Sequence, residues 1–165
     1  MRRTKYYRNN LKRIIVLATV IIVAFGAFVI YSQLTSPRRE ARAEATKLAQ
    51  KYAKLKTVKN FYWYNRQKTY FTVDGQNNSG QNIYVVIAQK GGQINIYSHD
   101  KGISDSQARS IVRKEHQPKK ITKIAMGMWK NKPVWEITYL NKSNRLCYDL
   151  VSFKNGSMLK TIQNI

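Results

Sequence analysis

The chain has 165 residues, a formal net charge of +22 and a single cysteine, Cys147. That length allows a short anchor and about one domain of ordinary size, and the lone cysteine excludes an intrachain disulfide. One cysteine with two histidines, His99 and His116, is also poor material for a structural zinc site. Strong positive charge attracts polyanions, so composition alone leaves nucleic acid, anionic lipid and anionic wall polymer as candidate partners.

The first element is an uncharged apolar run at residues 14–31. A helix of this length, at about 1.5 Å per residue, is just long enough to cross the hydrocarbon core of a bilayer. A cleaved signal peptide has a shorter apolar core followed by small residues. This run instead ends in bulky side chains, so the sequence predicts an uncleaved transmembrane signal-anchor helix.

The flanks of this run predict its orientation. Residues 1–13 form a tail that contains Lys and Arg but no acidic residue, and such positive flanks stay in the cytoplasm. We therefore expect a cytoplasmic N-terminus, a linker at residues 32–36 and an extracytoplasmic body beyond it. A body outside the cell does not meet DNA or RNA, so nucleic acid is not an expected partner, whereas anionic wall polymers and lipids are.

The body begins with a helix followed by strands. Ser36 followed by Pro37 is a good helix start, and one helical face then carries Ala41, Ala45, Leu48, Ala49, Tyr52 and Ala53. Segments rich in β-branched and aromatic residues predict four strands at 58–64, 69–73, 83–88 and 93–97. Residues 37–99 are the first predicted unit.

The same order of elements follows in residues 100–165, the second predicted unit. Ser104 and Gln107 form a capping-box pattern, with Ile103 and Ala108 as a hydrophobic staple. Strands are predicted at 121–129, 134–140, 146–153 and 157–162, and Asn155 with Gly156 signals a hairpin.

The two units align with each other at offsets of 63 to 65 residues. Ala45 matches Ala108, and Tyr84 matches Tyr148. The sequence therefore predicts an α+β fold made of a degenerate tandem repeat, in which each unit is one helix packed on an antiparallel sheet of about four strands. Units this small are marginally stable alone, so we expect them to pack together.

Four short segments of the second unit carry a family resemblance. They are Ser-Gln-Ala at 106–108, Pro-Val-Trp-Glu-Ile-Thr-Tyr at 133–139, Tyr-Asp at 148–149 and Phe-Lys-Asn-Gly at 153–156. In this order the chain resembles the YpmB/TseB family of Gram-positive bacteria, the TseB-like regulators of cell-wall elongation. The resemblance implies two cystatin-like units, the second a PepSY-type domain, and a role in cell-wall synthesis through contact with a penicillin-binding protein. It supplies no catalytic residues.

The residues themselves also predict a non-catalytic protein without a cofactor or a metal. Cys147 lies within a predicted strand, where a buried, inert thiol is the expected state. His99 and His116 are expected to be solvated surface residues. Glu136 and Asp149 lie on adjacent predicted strands and could approach each other as a glycosidase pair. The favoured interpretation is that they form ordinary ion pairs with Lys and Arg.

A candidate interaction surface combines aromatic and basic residues. Four aromatic residues in a row at 61–64 send two rings to each face of a strand, and rings left exposed would be typical anchors of a protein interface. The alternative is that these rings pack in the core or between the units. The candidates are Tyr62, Trp63, Tyr64, Trp129, Trp135, Lys119, Lys120 and Lys123.

Three functions remain open at this point. The first is a membrane-tethered regulator that docks on a wall-synthesis enzyme, as the resemblance implies. The second is a basic module that binds anionic wall polymer or lipid at the membrane surface. The third is an inhibitor or chaperone of an extracellular protease, which PepSY-type domains suggest by analogy only.

Overall fold

The computed structural model describes residues 3–163, with side chains from residue 15 onward except those of residues 34 and 35. Its contacts divide the chain into two compact units, Met1–Glu40 and Ala41–Ile165. Both β-sheets belong to the second of these units, which we call the body. The side chains of the predicted basic tail lie outside the described residues.

The first helix, α1, spans Arg3–Ala53 and contains the apolar run. Among the described residues it is the one helix long and apolar enough to cross a membrane. The described apolar side chains of this run are exposed: Ile21 and Ile22, for example, are 66% and 71% exposed. An apolar surface of this kind is stable when lipid surrounds it.

The predicted linker at 32–36 and the predicted helix start at Ser36 are wrong, because α1 is helical throughout this segment, with Pro37 inside it. The Ser36 hydroxyl donates to the Glu40 carboxylate at 2.9 Å rather than capping a backbone N–H group. Proline inside a helix removes one backbone hydrogen bond and favours a bend. The Ser36-Pro37 pattern therefore indicates a local disruption within the helix and not its first turn.

The first sheet contains β1 (Leu55–Asn65), β2 (Thr69–Asn77), β3 (Asn82–Ala88) and β4 (Ile94–Ser98) in sequential antiparallel order. One face packs against residues 41–53 of α1, in a cluster that includes Ala45, Ala49, Val73 and Val85. Tyr52, which the helical pattern assigned to this buried face, is 56% exposed. It sits at the margin of the stripe, where a large side chain reaches solvent.

The second half begins with a 3₁₀ turn (His99–Lys101) and α2 (Asp105–His116), followed by β5 (Lys120–Trp129), β6 (Lys132–Leu140), β7 (Leu146–Ser152) and β8 (Met158–Ile162). The predicted capping box is confirmed, since the Ser104 side chain accepts from the Gln107 backbone and the Gln107 side chain accepts from the Ser104 backbone. The second sheet is again sequential and antiparallel. The predicted α+β fold is therefore confirmed.

The repeat extends to an irregularity of the backbone. The β1–β2 ladder has a register shift between Val58 and Asn60, and the β5–β6 ladder has one between Ile121 and Lys123. These shifts lie 63 residues apart, which is the spacing of Ala45 and Ala108. A bulge bends its strand and increases the local twist, so the two sheets share a shape as well as a strand order.

Candidate functional site

The two sheets share one aromatic core. Trp135, which is fully buried, meets the rings of Tyr62 and Tyr84 edge-on, with centroids 5.3 Å apart in both cases. Its indole Nε1 donates to the Ile103 carbonyl at 2.9 Å. Edge-to-face rings with a satisfied indole N–H form a stable buried arrangement, so these three aromatic residues join the halves of the body.

A second contact brings the backbones of the two sheets close together. The Thr72 hydroxyl donates to the Met126 carbonyl at 2.8 Å. Next to it, Gly127 leaves room for the ring of Tyr64, since a Cβ atom at Gly127 would lie 2.3 Å from Tyr64 Cγ. Burial raises the pKa of Tyr64 to about 12.

The predicted interaction surface is thus divided by burial. Tyr62, Tyr64 and Trp135 are buried between the two sheets, as the alternative interpretation stated. Trp63 is half-buried, with its ring edge-on to Phe71 at 5.1 Å. Trp129 is also half-buried, while the three lysines of the surface are exposed: Lys119, Lys120 and Lys123.

Glu136 is the centre of an ion-pair cluster. It is buried on β6, its carboxylate accepts from Arg66 Nε, and Lys123 Nζ lies 3.8 Å from its other oxygen. The Arg66 guanidinium also lies 5.3 Å from the centre of the Tyr148 ring. The expectation of an ordinary ion pair is confirmed for Glu136. Because Arg66 belongs to the turn between β1 and β2 of the first sheet, the pair also connects the halves of the body.

Glu136 and Asp149 do not approach each other as a catalytic pair. The β6–β7 ladder places Glu136 opposite Leu150 and Ile137 opposite Asp149. Successive side chains of a strand point to opposite faces, so the two carboxylates lie on different sides of the sheet. The prediction that they could come together is wrong, because it considered strand adjacency without register.

Asp149 pairs with a histidine rather than with Lys or Arg. His116 Nε2 lies 3.2 Å from the fully buried carboxylate, and its ring stacks on Tyr139 with centroids 5.6 Å apart. Burial raises the pKa of Asp149, and the hydroxyl of Thr161 and the nearby His116 offset only part of this rise. Neither carboxylate oxygen receives a well-aligned hydrogen bond. The prediction of a solvated His116 is wrong, because the end of α2 turns its ring onto the sheet.

His99 has a similar arrangement against the first sheet. Its Nε2 lies 2.9 Å from Asp74 Oδ1, and its ring stacks on Tyr84 with centroids 4.0 Å apart. The other oxygen of Asp74 accepts from Asn60 Nδ2 at 2.8 Å. His99 is therefore not a solvated turn residue either. The missed signal was the position of Asp74, which alternation places on the inward face of β2.

The cysteine, the histidines and the buried acidic residues stabilise the fold. Cys147 is 1% exposed, with Sγ 3.6 Å from the Arg145 carbonyl, which confirms the predicted buried thiol. Over the part of the chain whose side chains are described, no three His, Cys, Asp or Glu residues come together as a metal-binding group. Three buried acidic residues of the described chain each lie against a basic side chain: Asp74 against His99, Glu136 against Arg66 and Asp149 against His116.

Open surface lies instead around the β1–β2 turn. Three neighbouring hollows, of about 250, 550 and 390 Å³, all include Arg66 in their walls. The first two also include Gln67 and Lys68, and the third includes Glu136 and Lys123. Sequence reasoning assigned basic patches to the helix ends and named only Lys123 among the lysines of these hollows. It missed the other four, because they come from four different segments of the chain: Lys68, Lys90, Lys130 and Lys160.

Comparisons with known proteins agree with this architecture. The family model "Cell wall elongation regulator TseB-like domain" matches residues 44–88, and "Peptidase propeptide and YPEB domain", the PepSY model, matches residues 102–162. The "Probable cell wall elongation regulator TseB" of Bacillus subtilis is 29% identical over 150 residues, which cover 90% of this chain and 91% of that protein. The solved structure of the "YpmB protein from Bacillus subtilis" superposes with a TM-score of 0.64 at 27% identity, and the match covers 73% of this chain and 95% of that one. In domain order and in fold, the chain is similar to the YpmB/TseB family: a segment that matches the TseB-like domain is followed by one that matches the PepSY domain.

Proposed function

We propose that this protein is a membrane-anchored, extracytoplasmic regulator of cell-wall elongation that acts by binding a penicillin-binding protein. The observation that carries the proposal is the relationship to a probable cell-wall elongation regulator over 90% of this chain. Because that match extends over the apolar helix and both halves of the body, it favours a shared mode of action rather than a shared fragment.

The anchor part of the proposal rests on the exposed apolar surface of α1. We propose that residues 14–31 cross the membrane, that residues 1–13 stay in the cytoplasm and that the body lies outside the cell. The excess of Lys and Arg on the N-terminal flank supports this direction. Residues 37–99 and 100–165 are the two proposed repeat units.

The regulator is proposed to be non-catalytic. Its two candidate acidic residues lie on opposite faces of a sheet, and its thiol is buried. Both histidines are engaged with buried aspartates. In these positions the acidic residues, the thiol and the histidines stabilise the fold. Binding is therefore the activity that best fits the body.

The docking surface is proposed to include the accessible part of the aromatic and basic set. Trp129 is half-buried at the end of β5, with Lys130 Nζ 4.7 Å from the centre of its ring, and Lys120 and Lys123 are exposed on the same strand. A partly exposed tryptophan with neighbouring cations is typical of an interface anchor.

Site-specific photo-crosslinking in living cells tests the proposal. A photoreactive amino acid is placed at Lys120 or at Trp129 in the full-length protein, and captured proteins are identified by mass spectrometry. Tyr52, an exposed aromatic residue of the body outside the proposed surface, is the matched control position. We expect a penicillin-binding protein to be captured from β5 and not from Tyr52. Equal capture from all three positions, or none, would refute the proposed docking surface.

The PepSY match favours one alternative, because that family model includes peptidase propeptides. In this alternative the second half of the body inhibits or assists an extracellular protease. The full-length protein in lipid nanodiscs would then slow a secreted protease from the same cells in a saturable manner. Protease activity that is unchanged at saturating protein would exclude the alternative without affecting the regulator proposal.

A further inference from the structure

The hollow of about 250 Å³ beside the β1–β2 turn is lined by cations and aromatic rings. Its basic residues come from the β1–β2 turn, the β5–β6 turn and β8, and no acidic residue is among those that line it. The walls also contain aromatic rings and side-chain amides. The basic residues are Arg66, Lys68, Lys130 and Lys160; the others include Tyr64, Tyr70, Trp129, Gln67 and Asn131.

The neighbouring hollow of about 550 Å³ continues this basic surface. It shares Arg66, Gln67 and Lys68 with the first hollow and adds Lys90, again without an acidic residue in its walls. Arg66 is already paired with Glu136, so its charge is largely compensated. The lysines therefore supply most of the positive potential across the two hollows.

The position of Lys130 is fixed by an unusual backbone. Lys130 and Asn131 both have left-handed conformations, with φ of 49° and 60°, and they form the tight turn between β5 and β6. Such turns favour Asn and Gly over lysine. The turn holds the Lys130 ammonium group over the Trp129 ring, and both side chains line the first hollow.

We propose that these two hollows together bind a linear anionic polymer with repeated phosphodiester groups joined by polyol units. Lysine ammonium groups are point charges suited to single phosphates. The hollows are open, so one small anion would be held weakly by each lysine. A repeating anion that reaches several lysines at once gains affinity through effective concentration.

Trp129 contributes the part of the site that does not depend on charge. Its half-buried ring offers an apolar surface to the C–H groups of a polyol segment, and Gln67 and Asn131 offer hydrogen bonds to hydroxyl groups. These contacts distinguish a polyol phosphate from inorganic polyphosphate. The inference relies on the proposed extracytoplasmic location of the body, but it does not depend on binding of a penicillin-binding protein.

Calorimetric titration of the full-length protein in zwitterionic phosphatidylcholine nanodiscs tests the proposal. The probes are short and long glycerol-phosphate oligomers, inorganic phosphate and vesicles that contain phosphatidylglycerol. One variant combines Lys68→Gln, Lys130→Gln and Lys160→Gln. The matched control removes the same charge from exposed positions outside the hollows: Lys47→Gln, Lys56→Gln and Lys114→Gln.

We expect affinity to rise with oligomer length at physiological salt. The loss of three exposed ion pairs should weaken binding of the long oligomer by roughly tenfold in the hollow variant, with at most about a threefold loss in the control through general screening of charge. Trp129→Leu should also weaken binding of the long oligomer, whereas Trp129→Phe should not. Melting temperatures of all variants establish that they are folded.

Several results would overturn the proposal. Equal losses in the two lysine variants would show that net charge alone attracts the polymer. Affinity that is independent of oligomer length would indicate a single-anion site. Binding to phosphatidylglycerol vesicles without binding to the oligomer would assign the basic surface to the membrane. In each case, capture of a penicillin-binding protein in cells would remain a separate result.

Discussion

Replacing Gly127 with alanine tests how the two sheets of the body pack. The new Cβ atom would lie 2.3 Å from Tyr64 Cγ and 2.6 Å from Cδ1, whereas carbon atoms in good contact are about 3.5–4.0 Å apart. The ring must therefore move by more than about 1 Å. Overpacking of this kind typically costs about 1–3 kcal/mol. The ring also lines the hollow beside it, which gives it a direction in which to move, so we expect about 1–2 kcal/mol.

Urea unfolding of the full-length protein, followed by tryptophan fluorescence, measures this cost. All three tryptophans lie in the body, so the signal reports its unfolding. The control is a double-mutant cycle with Tyr64→Ala, in which the clash has been removed. Gly127→Ala should cost less than about 0.5 kcal/mol in that background, because the two positions are coupled through one contact.

Two results would refute this reasoning. If Gly127→Ala unfolds at the same urea concentration as the wild type, the sheets do not approach as closely as described. If the cost is the same with and without the Tyr64 ring, it arises within β5 and not from contact between the sheets.

Three further predictions concern the buried polar groups and the helix cap. Glu136→Gln should lower the free energy of unfolding by about 1–3 kcal/mol, because Arg66 loses its charged partner; urea unfolding at low and high salt measures this. Asp149→Asn should remove one component of the pH dependence. Since the native pKa of Asp149 is raised, the folded wild type binds the carboxyl proton more tightly than the unfolded chain does. The wild type therefore loses stability as pH rises from about 4 through the native pKa. The melting temperatures of the wild type and Asp149→Asn should diverge over that interval. Ser104→Ala should cost about 0.5–2 kcal/mol through loss of the cap, whereas Ser110→Ala, at an exposed position of the same helix, should not destabilise the body.

The order of helices and strands could be predicted because the turn signals between them are strong. Gly91 with Gly92 and Asn155 with Gly156 mark turns, and each run between such signals is rich in β-branched or aromatic residues. Each of the eight predicted strands corresponds to an observed strand. The capping box located the start of α2 for the same reason: its signal is local, and a local signal needs no knowledge of the rest of the fold.

The use of the strand faces was harder to predict, because it depends on distant segments. The aromatic run at 61–64 sends Tyr62 and Tyr64 toward the second half of the body and Phe61 and Trp63 toward α1. A sheet covered on both faces produces a nearly continuous apolar run, and such a run does not show which partner covers which face. The candidate surface therefore mixed rings that join the sheets with rings that remain accessible.

The environments of the two histidines were missed for a related reason. His99 and His116 lie at ends of elements, where solvent exposure is the usual expectation, and each meets an aspartate 25 or 33 positions away on an inward strand face. Aspartate within an otherwise apolar strand was the available signal. A buried carboxylate needs a partner, and the short supply of acidic residues makes each inward aspartate informative in so basic a chain.

The distribution of buried surface also limits where a partner can bind. Residues 41–53 of α1 cover one face of the first sheet, and the second half of the body covers the other. This sheet can therefore offer a partner only its edges and turns. The β1–β2 turn is where the sheet reaches the open hollows, and it contributes Arg66 to the ion pair with Glu136. A ligand that displaced Arg66 would disturb a contact between the two sheets, whereas a ligand held by the lysines would leave it in place. We therefore expect the difference in urea midpoint between the wild type and Glu136→Gln to be the same with and without bound polymer. A partner that competes for Arg66 should abolish that difference.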